Sequence, residues 1–346
     1  MSLKELIVSL SELMSVTGYE RYSTDALCSV IGKYFDESYT DRIGNHIFVK
    51  RCGKENAPRI LVDCHFDEIG MMVTGIKEGG FLTVTNVGGV DTRLLPSSEV
   101  VIYGKETITG IVATTAESMR KWGDDSLKTI DQLLIDTGYS KAELEEICPL
   151  GTAVGYKGEY TELMNGKLVG KAFDDKACGA CAVYGIKQTD SLDMVADVYF
   201  VFATREEIGC VGAGPAAYGI DPDYALVLDV TNSWIPEMTG MKWTAVGTGV
   251  SIDVSPVTNR KLTKMTVKLC EEKGIKYTLR ASPGSTGTDA NATGTVRDGI
   301  PTVLCSLPLR NMHTAKELLS LEDAQALSDL VSEFIKSKSI AEVFAR

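Results

Sequence analysis

The sequence predicts an α/β protein with a mainly parallel sheet flanked by helices, interrupted by an inserted β-rich domain. Three observations carry that prediction. Short apolar runs alternate with helix-spaced patterns after about Gly166, the order of strands and helices that builds a parallel sheet. From about Gly70 the texture is different, with short alternating strands between Gly-rich turns. The 346 residues are also too many for one ordinary small domain.

Leu3–Ser15 and Tyr22–Phe35 carry apolar residues at helical spacing, so the chain opens with two helices. Asp41-Arg42-Ile43-Gly44-Asn45 is a turn signal leading into Ile47-Phe48-Val49, a hairpin. Arg59–Cys64 is a nearly continuous apolar run that reads as a buried strand. The central region supplies strands at Met71–Ile76, Phe81–Thr85, Val100–Tyr103 and Thr107–Ala113. A polar loop at Glu117–Asp125, a helical piece at Ile130–Thr137 and a strand at Thr152–Tyr156 complete it. Beyond Gly166 come a helix at Asp174–Gln188, a strand at Val198–Ala203, a Gly/Ala-rich helix near Gly212–Tyr218 and a strand at Tyr224–Leu228. Helix Asn259–Lys273, strands Tyr277–Ala281 and Pro301–Ser306, and an amphipathic helix at Leu321–Lys336 follow. The expected division is residues 1–69 with 160–346 as one discontinuous domain, and 70–159 as the insert.

A 44% hydrophobic, 24% charged composition is that of a globular chain with material for a sizeable core. The net charge of −12 repels phosphate backbones and argues against nucleic acid as a partner. No apolar run approaches the roughly 20 residues a membrane span needs, and the first residues lack a signal-peptide pattern. The cytosol is therefore the expected compartment, with the nine cysteines as free thiols. Cys178 and Cys181 form a C-x-x-C with no second pair at zinc spacing, and read as small residues packing a helix on a sheet.

Metal-competent residues gather at five places. His65 and Asp67, two apart just past a strand, face the same way in extended chain, so one can bind a metal while the other fixes the imidazole. Asp174 and Asp175 begin a helix, where a negative charge is favoured; a plain N-cap is the competing reading. Glu206 and Glu207 end a buried strand, and their diverging side chains can divide the work between metal and water. Asp229 interrupts a thoroughly apolar strand, where a carboxylate needs a cation or hydrogen-bond donors. His313, alone, is equally an ordinary surface histidine. Four of the five follow strands, at the sheet edge where α/β folds place their sites.

In order, His65-Phe66-Asp67-Glu68-Ile69-Gly70, Ala172-Phe173-Asp174-Asp175-Lys176, Glu206-Glu207-Ile208-Gly209, Asp229-Val230-Thr231, Gly287-Thr288-Asp289-Ala290 and Met312-His313 resemble the successive motifs of the tetrahedral (TET) aminopeptidases, which include glutamyl, leucyl and lysyl aminopeptidases. The resemblance covers essentially the whole chain and includes Gly88–Pro96 in the insert. It implies a zinc-peptidase-like fold and two divalent metal ions per subunit, zinc first and cobalt or manganese as alternatives. In this pattern Asp174 bridges the ions, His65 and Asp229 complete one, Glu207 and His313 complete the other, Glu206 is the general base and Asp67 orients His65. It further implies peptides with a free N-terminus as substrates, and dimers that assemble into a hollow dodecamer through the insert. Arg205 stands where relatives often carry Gln, which makes it a candidate for altered substrate preference, and Asn291 stands where Gly is usual. His46 matches no motif and is expected to be structural. Two rival readings stay open: another two-metal amidohydrolase of deacetylase or carboxypeptidase type, and a non-enzymatic assembly protein that keeps the fold. The preferred N-terminal residue is not marked in these motifs.

Overall fold

The computed structural model describes residues 1–115, 128–238 and 244–346. The polar stretch Glu117–Asp125 lies outside the described residues. The first helix, α1 (Leu3–Ser11), starts from a capping box in which Ser2 and Glu5 satisfy each other's backbone N–H. Its buried Leu3, Leu6, Ile7 and Leu10 form one stripe. The helix stops short of the expected Ser15 because the chain there is claimed by another segment. The Ser15 N–H donates to the Glu68 carboxylate, and the Glu68 N–H returns a bond to the Ser15 carbonyl. The second helix, α2 (Thr24–Ile31), is likewise shorter than Tyr22–Phe35, with 3-10 turns on either side taking up the rest.

The hairpin of β1 (Glu37–Thr40) and β2 (His46–Lys50) turns on Asp41, whose Oδ1 accepts the N–H groups of Ile43, Gly44 and Asn45. Strand β3 (Arg59–His65) is buried from its second residue onward. The chain then leaves for the insert: β4 (Gly70–Lys77), β5 (Phe81–Val87), β6 (Glu99–Tyr103), β7 (Thr107–Val112), β8 (Leu134–Asp136), helix α3 (Lys141–Ile147) and β9 (Ala153–Tyr156). These strands close into a barrel in the order β4-β5-β8-β7-β6-β9, which removes the free edges an open sheet would expose. Its core is separate, built from residues such as Met71, Leu82, Val100, Ile102, Ile135 and Val154.

The closure explains one departure from expectation. Ile130–Thr137, read as helical, is a 3-10 turn at Ile130–Gln132 followed by β8. The apolar spacing in this short segment suits a helix, but pairing with both β5 and β7 completes the barrel and wins. Helix α3, not foreseen, is set by a second capping box, Ser140 with Glu143.

The remaining elements are β10 (Thr161–Leu163), β11 (Lys167–Gly170), α4 (Phe173–Gln188), β12 (Asp197–Ala203), α5 (Ala213–Ile220), β13 (Tyr224–Asn232), β14 (Val250–Val254), α6 (Arg260–Lys273), β15 (Tyr277–Ala281), α7 (Ala290–Thr293), β16 (Thr302–Leu309), β17 (Glu317–Ser320), α8 (Leu321–Lys336) and α9 (Lys338–Phe344). The large sheet runs β1-β2-β12-β3-β13-β16-β14-β15, and β10-β11-β17 form a small one. Its middle, β12-β3-β13-β16, is parallel, as is β14 with β15; β1 with β2, β2 with β12, and β16 with β14 are antiparallel. All nine cysteines are free thiols, and Cys178 and Cys181 lie fully buried in α4 as packing residues. Among the described residues no helix is long and apolar enough to cross a membrane.

Helix α4 packs on β3 and β13 and also against α8, which itself reaches β14 and β16, and small residues in α4 permit the close approach. A Cβ at Gly185 would collide with the carbonyl oxygen of Ser328 on α8. Gly219, in α5, has nothing within 4 Å of the same position. Gly185→Ala is therefore expected to lower stability by about 1–3 kcal/mol, and Gly219→Ala to raise it by about 0.5–1 kcal/mol. Urea unfolding midpoints check both, and shifts of the same sign would contradict this packing.

Candidate metal centre

The parallel strands deliver their C-terminal ends to one place. His65 ends β3 and lies beside Ala203, the last residue of β12, so Glu206 and Glu207 just beyond β12 fall next to it. Strand β13 runs on past the expected Leu228 to Asn232, which puts Asp229 inside it, paired with Ser306. His313 follows β16, and Asp174 enters from the start of α4.

The sequence-predicted residues meet. His65 Nε2 lies 3.0 Å from Asp174 Oδ1, and His313 Nε2 lies 3.2 Å from Asp174 Oδ2. Glu207 Oε2 is 3.3 Å from His313 Nε2, and Glu206 Oε2 is 3.9 Å from His65 Nε2. Two groups have ligand atoms close enough to hold an ion: His65 with Asp174 and Asp229, and Asp174 with Glu207 and His313. Asp174 belongs to both. All of these residues line one cavity of about 700 Å³.

The charges fit metal. Asp174, Glu206, Glu207 and Asp229 face this space, and among the described residues none of them pairs with a lysine or arginine. Buried carboxylates without cations are expensive, so the donor set calls for positive charge. Burial, with Asp174 nearby, pushes the Glu207 carboxyl up to about 10. Burial and Asp175 push Asp229 well above the usual carboxylate range. Burial alone would lower the His65 imidazole, but Asp174 and Glu206 outweigh it and hold the imidazole well above its ordinary value. Asp174 itself is held low despite its burial, because both imidazoles hydrogen bond to it. Mixed imidazole and carboxylate donors are those of a zinc, cobalt or manganese site.

Asp67 is wired differently from the simple expectation. The His65 Nδ1 contact at 2.9 Å is to the Asp67 backbone carbonyl, while its carboxylate Oδ1 stands 3.6 Å away. The Asp67 carboxylate instead accepts the N–H groups of Glu206 and Glu207, at 2.9 and 3.2 Å, and the Thr17 hydroxyl at 2.8 Å. It fixes the two glutamates to the His65 strand.

The first turn of α4 is not a conventional cap. Ala172 is left-handed at φ 54°, Asp174 and Asp175 have non-helical dihedrals, and the N-cap residue Ala172 supplies no side-chain cap. Two buried carboxylates hold this irregular turn. Glu68 takes Lys171 Nζ at 2.6 Å and Lys176 Nζ at 3.1 Å, with all three side chains almost fully buried. Glu317 accepts the N–H groups of Phe173 and Asp174 with one oxygen, at 2.7 and 3.1 Å, and that of His313 with the other, at 2.9 Å. Sequence reasoning missed Glu317; an isolated acid between Lys316 and Leu318 carries no signal until its burial is seen.

The barrel reaches this centre through Gly88 and Gly89. A Cβ on Gly89 would lie 2.8 Å from His313 Nδ1, and one on Gly88 would lie 3.3 Å from Glu207 Cβ. His46 takes no part: it is buried on the edge of the Phe66 ring and near the Thr40 hydroxyl. Arg205 does not line the cavity, and its backbone N–H goes to Glu20.

This fold and site define a peptidase-type hydrolase. The chain belongs to the M42 family, matching the M42 glutamyl aminopeptidase description over residues 44–330. It is 31% identical to the lysyl aminopeptidase of Pyrococcus furiosus over 327 residues, covering 92% of each chain. It superposes with a TM-score of 0.91, at 27% identity and over 99% of each chain, on the TET aminopeptidase of a marine-sediment thaumarchaeon. The TET1 peptidase of Pyrococcus horikoshii, described as able to assemble into a tetrahedron or a large octahedral shell, gives a TM-score of 0.85 at 27% identity, over 96% of this chain and 99% of its own. The family carries the activity in plain terms: this is an aminopeptidase.

Because Glu317 anchors the backbones of Asp174 and His313 together, Glu317→Gln is expected to weaken divalent-ion binding about 10- to 100-fold. Competition against a chromogenic chelator measures this; an unchanged affinity would show that the clamp is dispensable.

Proposed function

We propose that the chain removes N-terminal residues from peptides by a two-metal mechanism. The observation that carries this reading is the sharing of Asp174 between two ligand groups. In it, His65, Asp174 and Asp229 hold one divalent ion, and Asp174, Glu207 and His313 hold the other, with zinc the best match to the donors. Ions held there would acidify a bound water and polarise the scissile carbonyl.

The protein's own groups supply the rest. Glu206 belongs to neither ligand group, lines the cavity and lies beside His65, which leaves its carboxylate to handle protons. As general base it takes a proton from the attacking water, then gives it to the departing amine. Asp67 keeps that carboxylate in place by binding the Glu206 N–H, a positioning role rather than a proton-handling one.

The reading extends to organisation. Residues 1–69 and 160–346 form the catalytic domain, and residues 70–159 the assembly domain. Subunits pair and the pairs assemble into a dodecamer, in line with the dodecamer described for a TET1 structure of the same fold at 27% identity. The chain works in the cytosol on peptides with a free N-terminus.

Glu206→Gln is expected to retain bound metal while lowering kcat by about 10²- to 10⁴-fold; near wild-type turnover in a metal-replete variant would remove Glu206 from the base role. Asp174→Ala is expected to lose both ions together, so elemental analysis after gel filtration gives almost none per chain. Two ions still bound would refute the shared ligand.

A further inference from the structure

The cavity extends past the ligand groups. Beyond them it is lined by hydroxyl and amide side chains, among them Thr231, Asn232, Thr286 and Asn291. Arg280, near the end of β15, is the one lysine or arginine lining it among the described residues.

Arg280 is fastened to the catalytic strand. Its Nη1 donates to the Thr231 hydroxyl. Thr231 stands two residues after Asp229 on β13, so both side chains leave the strand on the same face. Arg280 forms no ion pair among the described residues, and the Thr231 bond is its one hydrogen bond there. Asp253, its partner across β14 and β15, gives one oxygen to the Ser282 hydroxyl at 2.6 Å and makes no ion pair with the guanidinium. Most donors of the guanidinium fork are therefore uncommitted, in a half-buried position on the cavity wall.

The charge balance gives this a direction. With two divalent ions held there, Asp174, Glu206, Glu207 and Asp229 would all be ionised and their four negative charges offset. Arg280 is then the one other charged side chain lining the cavity among the described residues, with the buried Asp253 within reach of its charge. A carboxylate entering it gains charge-assisted hydrogen bonds from a planar fork suited to it. An ammonium would meet a like charge, and a large apolar side chain would strip water from the guanidinium donors that Thr231 does not take.

We propose that Arg280 reads the side chain of the substrate's N-terminal residue and makes this aminopeptidase selective for glutamate and aspartate. The inference rests on the two-metal aminopeptidase reading above and adds to it the substrate class. Arg280 is a specificity residue and has no part in the proton transfers.

The test is kcat/KM of the full-length, metal-loaded protein on the p-nitroanilides of Glu, Asp, Leu and Lys. The acidic substrates are expected to exceed both others by at least about tenfold. Arg280→Met is expected to lower the Glu-to-Leu ratio by about 10- to 100-fold, mainly through KM. Arg280→Glu is expected to move the preference towards Lys. A wild type that prefers Leu or Lys overturns the inference alone, as does an Arg280→Met variant that slows every substrate equally. Cleavage of none of the four by a metal-replete protein overturns the aminopeptidase reading as well.

Discussion

One carboxylate sets the terms for the rest of the site. Asp174 presents an oxygen to each of two histidines, His65 on one side and His313 on the other. Its backbone departs from regular helix geometry, because the first turn of α4 is irregular at that point. The surrounding ionic and hydrogen-bonding groups follow from this. Glu68 with Lys171 and Lys176 ties the start of α4 to the end of β3, and Glu317 ties it to the His313 segment. These contacts are buried, where a half-satisfied polar network would be costlier than none. The ties from Glu68 and Glu317 hold the irregular turn, while both carboxylate oxygens of Asp175 within it are buried without a hydrogen-bond partner among the described residues.

The barrel is more than an appendage. Gly88 and Gly89 bring its backbone against Glu207 and His313, where a side chain would displace the imidazole. The insert therefore forms part of the wall beside the second ligand group. An M42 chain without this contact would have to support His313 in some other way, because its side chain is about a third exposed and its own backbone is left-handed.

Much of this was legible in the sequence, and the reason is physical. A carboxylate within an apolar strand, such as Asp229, or a histidine directly after one, such as His65, is costly enough to need a purpose. The order of the blocks then made the family recognisable. What stayed hidden depends on tertiary context. Ile130–Thr137 has helix-like apolar spacing, but two neighbouring strands decide its conformation. Strand β17 and Glu317 carry no sequence signal of their own until pairing with β11 buries them. Asp67 was expected to steady His65 with its carboxylate; that carboxylate stands 3.6 Å from the ring, but the shorter contact is its backbone carbonyl and the carboxylate also serves the two glutamates. Sequence spacing identifies which residues meet, but not which of their atoms do.

The most direct measurement is anomalous diffraction from metal-loaded crystals, collected at the absorption edge of the bound metal. The account predicts two peaks per chain on either side of Asp174, roughly 3.5–4 Å apart, one against His65 and Asp229 and the other against Glu207 and His313. A single peak, or a pair that does not have Asp174 between them, would contradict it.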